Sequence, residues 1–148
     1  MAVRAGAAQP DIGSVEALKR TLLQAKSIAY SASVSGEYLT KELYQRLGIV
    51  DQVMGKSRLI GGGERVGAVI ARGEAEIGFQ QMSELMPVAG IAHVTPLPAA
   101  VQKVSVFSAG IAKSTTDAAT ARAVIKFLAS PEAASAITKS GLEPIEKR

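Results

Sequence analysis

Residues 27–47 read Ser-Ile-Ala-Tyr-Ser-Ala-Ser-Val-Ser-Gly-Glu-Tyr-Leu-Thr-Lys-Glu-Leu-Tyr-Gln-Arg-Leu. The opening apolar run predicts a strand, and the serines and glycine that follow it predict a turn. Leu39, Leu43 and Leu47 then recur at spacing four, which predicts a helix that Gly48 ends. A strand that leads through a short turn into a helix is the building unit of a layered α/β domain.

The same alternation of strands and helices continues on both sides of this segment. Strands are predicted at 27–31, 57–60, 76–80, 92–97 and 104–112, of which the last is the longest. Helices are predicted at 14–25, 37–47, 64–72, 83–86, 117–129 and 131–139. Strands that alternate with helices favour an α/β fold with three αβα layers, in which helices cover both faces of a mixed, mostly parallel sheet.

Composition limits the class of protein. The chain has 148 residues, of which 47% are hydrophobic and 20% charged, so one domain of ordinary size can bury a core. It contains no cysteine, which excludes disulfides and thiolate chemistry. The net charge is +4, but the 17 basic residues are scattered among 13 acidic ones. Because the compact basic stripe of a nucleic-acid interface is missing, we expect no nucleic-acid partner.

No apolar run approaches the roughly 18 residues of a membrane span, and none of signal-peptide type opens the sequence as given.

The turn that follows the strand at 27–31 is the first candidate binding site. Ser31, Ser33 and Ser35 supply three hydroxyls, and Gly36 stands at the start of the following helix. Hydroxyls and backbone N–H groups at a helix start can hold an oxyanion without a neutralising cation. The alternative is that one of these serines is merely an N-cap residue.

Two further strand-to-helix turns lead to the same edge of a parallel sheet. One contains three glycines ending at Gly63, followed by Glu64, Arg65 and Val66, and could bring backbone N–H groups close to a ligand. It matches neither the P-loop nor the dinucleotide fingerprint, so a flexible turn is the alternative. The other contains Gln80 and Gln81, whose amides either donate to an anion or simply lie on the surface.

Residues typical of catalysis are sparse. His93 is the one histidine of the sequence and begins an apolar segment, so we expect it to be structural or exposed. A single histidine without cysteine does not build a transition-metal site. From the residues alone we therefore expect a protein that is not an enzyme, with no catalytic residues, no metal and no cofactor.

Several segments carry a resemblance to a known family. They are Val3 to Ser14, Glu16 to Ser31, Ala71-Arg-Gly-Glu-Ala-Glu-Ile-Gly-Phe-Gln-Gln81 and Phe127-Leu-Ala-Ser-Pro-Glu-Ala-Ala134. In this order they resemble the C-terminal two-thirds of the molybdate-type periplasmic solute-binding proteins of ABC transporters. The resemblance extends from about residue 3 to residue 144.

The resemblance implies a type II periplasmic-binding fold that lacks its N-terminal lobe. Residues 1–10 would cross between lobes, 11–97 would form lobe two, and 98–148 would supply a return strand and C-terminal helices that pack on the missing lobe one. It implies a truncated solute-binding component of an importer for a small oxyanion such as molybdate, in the periplasm, with an ABC permease as partner.

The lobe-two donors of that family map onto the turn at 31–36, the helix start at Arg65 and Val66, and the strand end near Gln80. Without lobe one, we expect an exposed apolar face and self-association into a homo-oligomer. Two alternatives remain open: an effector-sensing domain of a LysR-like regulator, and another small-ligand-binding domain of the same fold.

Overall fold

The computed structural model describes residues 1–92 and 94–144. Five strands form one sheet in the order β3-β2-β4-β1-β5. β2, β3 and β4 run parallel, whereas β1 lies antiparallel to both of its neighbours, β4 and β5. The predicted α/β fold with a mixed, mostly parallel sheet is confirmed. The strands are β1 (Ala2–Arg4), β2 (Ile28–Ser31), β3 (Ser57–Ile60), β4 (Ile77–Phe79) and β5 (Ile91–Ala92).

The described part of the chain contains eight α-helices. Their ends follow the expected chemistry: the Ser14 hydroxyl accepts a hydrogen bond from the Ala17 N–H at 3.1 Å, and Gly48 ends the helical segment with φ of 63°. The helices are α1 (Val15–Gln24), α2 (Val34–Glu37), α3 (Tyr44–Leu47), α4 (Val50–Val53), α5 (Val66–Ala71), α6 (Met82–Leu85), α7 (Ala118–Leu128) and α8 (Pro131–Lys139). A π-helical segment (Tyr38–Leu43) joins α2 to α3, and 3₁₀ turns lie at Met54–Lys56 and Ala99–Val101.

Apolar side chains fill both faces of the sheet. One cluster packs α1 and the helical segment 34–47 against β2 and β4, with Leu18, Leu22 and Leu43 fully buried. The other cluster packs α5 against the opposite face, where Ala29 and Ile70 are buried. Strand residues that alternate between the two faces supply both clusters, which is the burial expected of a sheet covered on both sides.

The chain divides into two compact units, Met1–Lys103 and Val104–Arg148. The first unit contains the sheet. The second contains α7 and α8, which contact each other. β1 belongs to the sheet of the first unit, where Val3 pairs with Ile77 and with Ala92. No described helix reaches the length and hydropathy that crossing a bilayer demands.

Three predictions about secondary structure need correction. The helix predicted at 37–47 begins three residues earlier, at Val34, because Ser33 takes the N-cap position. The strand predicted at 92–97 is limited to Ile91–Ala92; Pro96 and Pro98 lack the N–H that a ladder requires. The segment 104–112 is not a strand: it is irregular, and a strand without hydrogen-bonded neighbours has no stable form. His93 lies outside the described residues.

Residue 1 pairs with Thr95: its backbone nitrogen donates to the Thr95 carbonyl at 2.8 Å, and its carbonyl accepts from the Thr95 N–H at 3.1 Å.

Candidate functional site

The carboxyl ends of three parallel strands lie side by side at one edge of the sheet. Ser31, the last residue of β2, is in register with Ile60 at the end of β3. On the other side, Tyr30 is in register with Phe79, the last residue of β4, and Gln80 follows it directly. Neighbouring strands are about 4.8 Å apart. The three predicted turns therefore leave the sheet at the same edge.

The three serines of the first turn form a closed cluster of hydroxyls. The Oγ atom of Ser31 lies 2.7 Å from that of Ser33 and 3.2 Å from that of Ser35, and the latter two are 3.1 Å apart. Ser31 is buried, Ser35 half-buried and Ser33 exposed, so the cluster opens to solvent on one side. Because hydroxyl hydrogens rotate freely, the three groups can turn from one another to a bound oxygen atom.

The helix start beside this cluster offers backbone donors. Ser33 occupies the N-cap position of α2, but its hydroxyl makes no capping hydrogen bond and contacts the other two serines instead. Its carbonyl accepts from the N–H groups of Gly36 and Glu37. The N–H groups of Val34 and Ser35 donate to no atom of residues 1–92 and 94–144, as is usual in the first turn of a helix. Val34 was missed by the sequence analysis; the residue directly after an N-cap is the signal that indicates it.

Gly36 has a packing role at this edge. A Cβ atom on residue 36 would lie 1.8 Å from the Ser31 carbonyl oxygen and 3.0 Å from Cδ2 of Tyr30. The helix start therefore rests directly on the end of β2, and only glycine permits this distance. Gly36 was predicted to bind ligand; the contact that the structure shows for it is with the end of β2.

Gln80 and Val66 are joined by a hydrogen bond. The N–H of Val66, the first residue of α5, donates to Oε1 of Gln80 at 3.2 Å. Val66 was predicted as a donor to ligand, and in this structure its N–H is engaged by the glutamine. The Nε2 group of Gln80 donates to no atom of the described residues, and the side chain is half-buried.

The other predicted residues, Gly63, Arg65 and Gln81, make no hydrogen bond with the serine cluster. Gly63 has φ of 82° in the turn before α5, with open space where a Cβ would lie. Arg65 is exposed at the N-cap position of α5 and pairs with no carboxylate in the described part of the chain. Gln81 occupies the N-cap position of α6, where its carbonyl accepts from Glu84 and Leu85.

Two surface concavities lie away from this edge. One of about 200 Å³ is lined by Thr21, Gln24, Ala25 and Glu76, among others, at the amino-terminal ends of β2 and β4. The other lies at the junction of α3 and α4 around Gly48. Neither is lined by the serine cluster, which is distinguished by its hydrogen-bond donors. Among the described residues, no group of three or more acidic, histidine or cysteine side chains could hold a metal ion.

The chain resembles known proteins along nearly its whole length. A family model described as bacterial extracellular solute-binding protein matches residues 1–143. The chain belongs to this family. It is also 47% identical over 145 residues to a protein named aconitate isomerase from Pseudomonas sp., a match that covers 98% of the chain. The chain spans about half of that relative's length, 55%. No solved structure matches it.

Membership of the solute-binding family supports a role in binding a small ligand. The match to aconitate isomerase corrects the sequence analysis on another point. The expectation that the protein is not an enzyme is wrong, because a relative with 47% identity across nearly the whole chain bears the name of an enzyme. The sequence has one histidine and no cysteine, and the hydroxyl, amide and carboxylate side chains that an isomerase can use occur in proteins of every class.

Proposed function

We propose that the chain supplies one wall of the active site of an isomerase that acts on a small unsaturated polycarboxylate such as aconitate. The single observation that carries the proposal is the 47% identity to aconitate isomerase over 98% of the chain. The serine cluster at the carboxyl end of β2 supports it chemically. It offers hydroxyls and backbone N–H groups, which are the donors that a carboxylate accepts.

Isomerisation of such a substrate explains why neutral donors are useful. Interconverting the two forms about a carbon–carbon double bond requires that its double-bond character be lost for a moment. Moving a proton to a general base from the saturated carbon between a carboxylate and the double bond does so, and it moves negative charge onto carboxylate oxygens; return of the proton from that base completes the reaction with no net change of atoms. Donors held in place around these oxygens stabilise that charge. We assign this role to the hydroxyls of Ser31, Ser33 and Ser35 and the N–H groups of Val34 and Ser35.

Binding by this chain is expected to be weak. A hydrogen bond to a charged group contributes about 1.5–3 kcal/mol, and three or four of them must offset the cost of association. Since micromolar affinity needs about 8 kcal/mol, we expect a Kd near the millimolar range. Titration of the ¹⁵N-labelled chain with trans-aconitate should shift the amide signals of Val34 and Ser35 first. Shifts confined to other regions would contradict this placement.

Turnover is measured separately from binding, because the chain supplies one wall of the site and the proposal assigns it no general base. Incubation of trans-aconitate with the chain at about 0.1 mM, followed by proton NMR against a heat-denatured control, is therefore expected to show no faster formation of the cis isomer. Faster formation would place the whole reaction on this chain, whereas absence of trans-aconitate binding in the titration would refute the proposal.

Replacing Ser33 by alanine should weaken trans-aconitate binding about tenfold, because one hydrogen bond to a charged oxygen is lost. Ser33 is exposed, so we expect its removal to change the free energy of unfolding by less than about 0.5 kcal/mol. Ser105→Ala, at an exposed position of the second unit, is the matched control and should bind as the unaltered chain does. A Ser33→Ala chain that binds equally well would remove the serine cluster from the site.

Molybdate import is the second candidate. The same hydroxyls and amides, without a neutralising cation, suit a tetrahedral oxyanion, so the titration includes molybdate and sulfate. Binding of molybdate in preference to trans-aconitate would favour an importer component with an ABC permease as partner. The family description, which names extracellular proteins, supports the periplasm as the compartment for either candidate. The LysR-like alternative and self-association remain predictions.

A further inference from the structure

Gln80 lies on the same face of the sheet as Ser31. Ala29 is in register with Gly78, and a Cβ atom on Gly78 would meet Val66 and Ile70 of α5. Since side chains alternate along β2, Ser31 also faces the α5 side, and Gln80, the residue after β4, accepts a hydrogen bond from Val66 of α5. The glutamine is therefore a neighbour of the serine cluster at the carboxyl end of the sheet.

The hydrogen bond from Val66 fixes which end of the carboxamide is available to a ligand. A glutamine side chain has one oxygen, which accepts, and one NH₂ group, which donates. The Val66 N–H donates to Oε1 at 3.2 Å, so the oxygen is held against the backbone of α5. The NH₂ group is the part of the side chain that remains available to a ligand, and it can pair only with an acceptor.

We infer that Gln80 determines the specificity of the site for negatively charged oxygen ligands, with Val66 as the residue that orients it. The inference rests on the proposed function, since it concerns the same ligand at the same edge. The amide gives the site a donor without a full positive charge. A carboxylate oxygen is accepted, whereas a ligand that presents a donor at this position meets another donor and is rejected.

Gln80→Glu separates this role from a structural one. The glutamate has the same shape, and one of its oxygens still accepts from Val66, so the fold should keep its thermal midpoint. The second oxygen replaces the donor by a negative charge. We expect trans-aconitate to bind more than tenfold more weakly at pH 8 in the NMR titration.

A pH profile adds a readout that packing does not affect. As the pH falls towards 4, the new glutamate becomes protonated and regains a donor. The ratio of the variant's Kd to that of the unaltered chain should therefore decrease on acidification. Dividing by the unaltered chain cancels the protonation of the compound itself. Gln52→Glu makes the same change of charge at an exposed position of α4, before the amino end of β3, and should bind within twofold of the unaltered chain.

The outcomes separate this inference from the proposed function. If trans-aconitate binds equally to the unaltered and Gln80→Glu chains, the function stands and the role of Gln80 is overturned. If the unaltered chain binds sulfate or molybdate but not trans-aconitate, and Gln80→Glu loses that binding, the role of Gln80 stands and the polycarboxylate function is overturned. If the unaltered chain binds none of these anions, both are overturned.

Discussion

Gly36→Ala is expected to destabilise the first unit by more than about 4 kcal/mol and to abolish ligand binding. The added Cβ would lie 1.8 Å from the Ser31 carbonyl oxygen, and real Cβ atoms do not approach closer than 3.0 Å. The helix start and the end of β2 would have to separate by about 1 Å, although β2 is held on both sides by β3 and β4. Overpacking of a well-packed site costs about 1–3 kcal/mol, and a clash with backbone lies above that range.

Helix propensity acts in the opposite direction at this position and is too small to matter. Alanine is favoured over glycine in a helix by about 1 kcal/mol. Gly55→Ala is the matched control, because it lies in a 3₁₀ turn with nothing within 4 Å of the added methyl group. We expect Gly55→Ala to be neutral or slightly stabilising in urea denaturation followed by circular dichroism. Equal stability of the two variants would contradict the close contact at Gly36.

Gly78→Ala is expected to destabilise the first unit by about 3 kcal/mol, the upper end of the usual cost of overpacking. Gly78 lies in β4, in the middle of the sheet, where α5 packs on it. The new methyl group would lie 2.6 Å from Cγ1 of Val66 and 2.7 Å from Cγ1 of Ile70. Both side chains are fully buried, so neither has room to move away.

A double-mutant cycle with Ile70→Ala tests this cause directly. Ile70→Ala alone leaves a cavity and should cost about 2–5 kcal/mol. In the Gly78→Ala background the smaller side chain makes room for the new methyl group, so the second substitution should cost about 1–2 kcal/mol less than it does alone. Additive effects would show that the destabilisation by Gly78→Ala has another origin.

The sequence was informative where a local pattern has one physical solution. Ser14 before an apolar period predicted the start of α1, and Gly48 predicted the end of the helical segment in left-handed conformation. Three strands followed by turns predicted a parallel core, and they proved to be β2, β3 and β4. The strand predicted at 104–112 was wrong, because an apolar segment forms a strand only where neighbouring strands supply hydrogen bonds.

The candidate site was predicted in its composition but not in its connections. Serines after a strand indicate donors at a helix start, and this much needs no coordinates. That Ser33 contacts two other hydroxyls rather than capping α2 depends on side-chain directions within the turn. That Val66 donates to Gln80 depends on residues 14 positions apart, which the packing of α5 on β4 brings together. The resemblance to an enzyme was missed because hydroxyl and amide side chains occur in binding proteins as well as in enzymes.

The amino-acid sequence by itself determined the alternation of strands and helices, their capping residues and the polar turns at one edge of the sheet, since each depends on propensities and periodicities within a few residues. Tertiary structure decided the strand order, the antiparallel entry of β1 and which donors of the turns are engaged. These depend on contacts between segments that are distant in sequence. A donor that is engaged by one of these contacts, such as the Val66 N–H with Gln80, is no longer free for another acceptor.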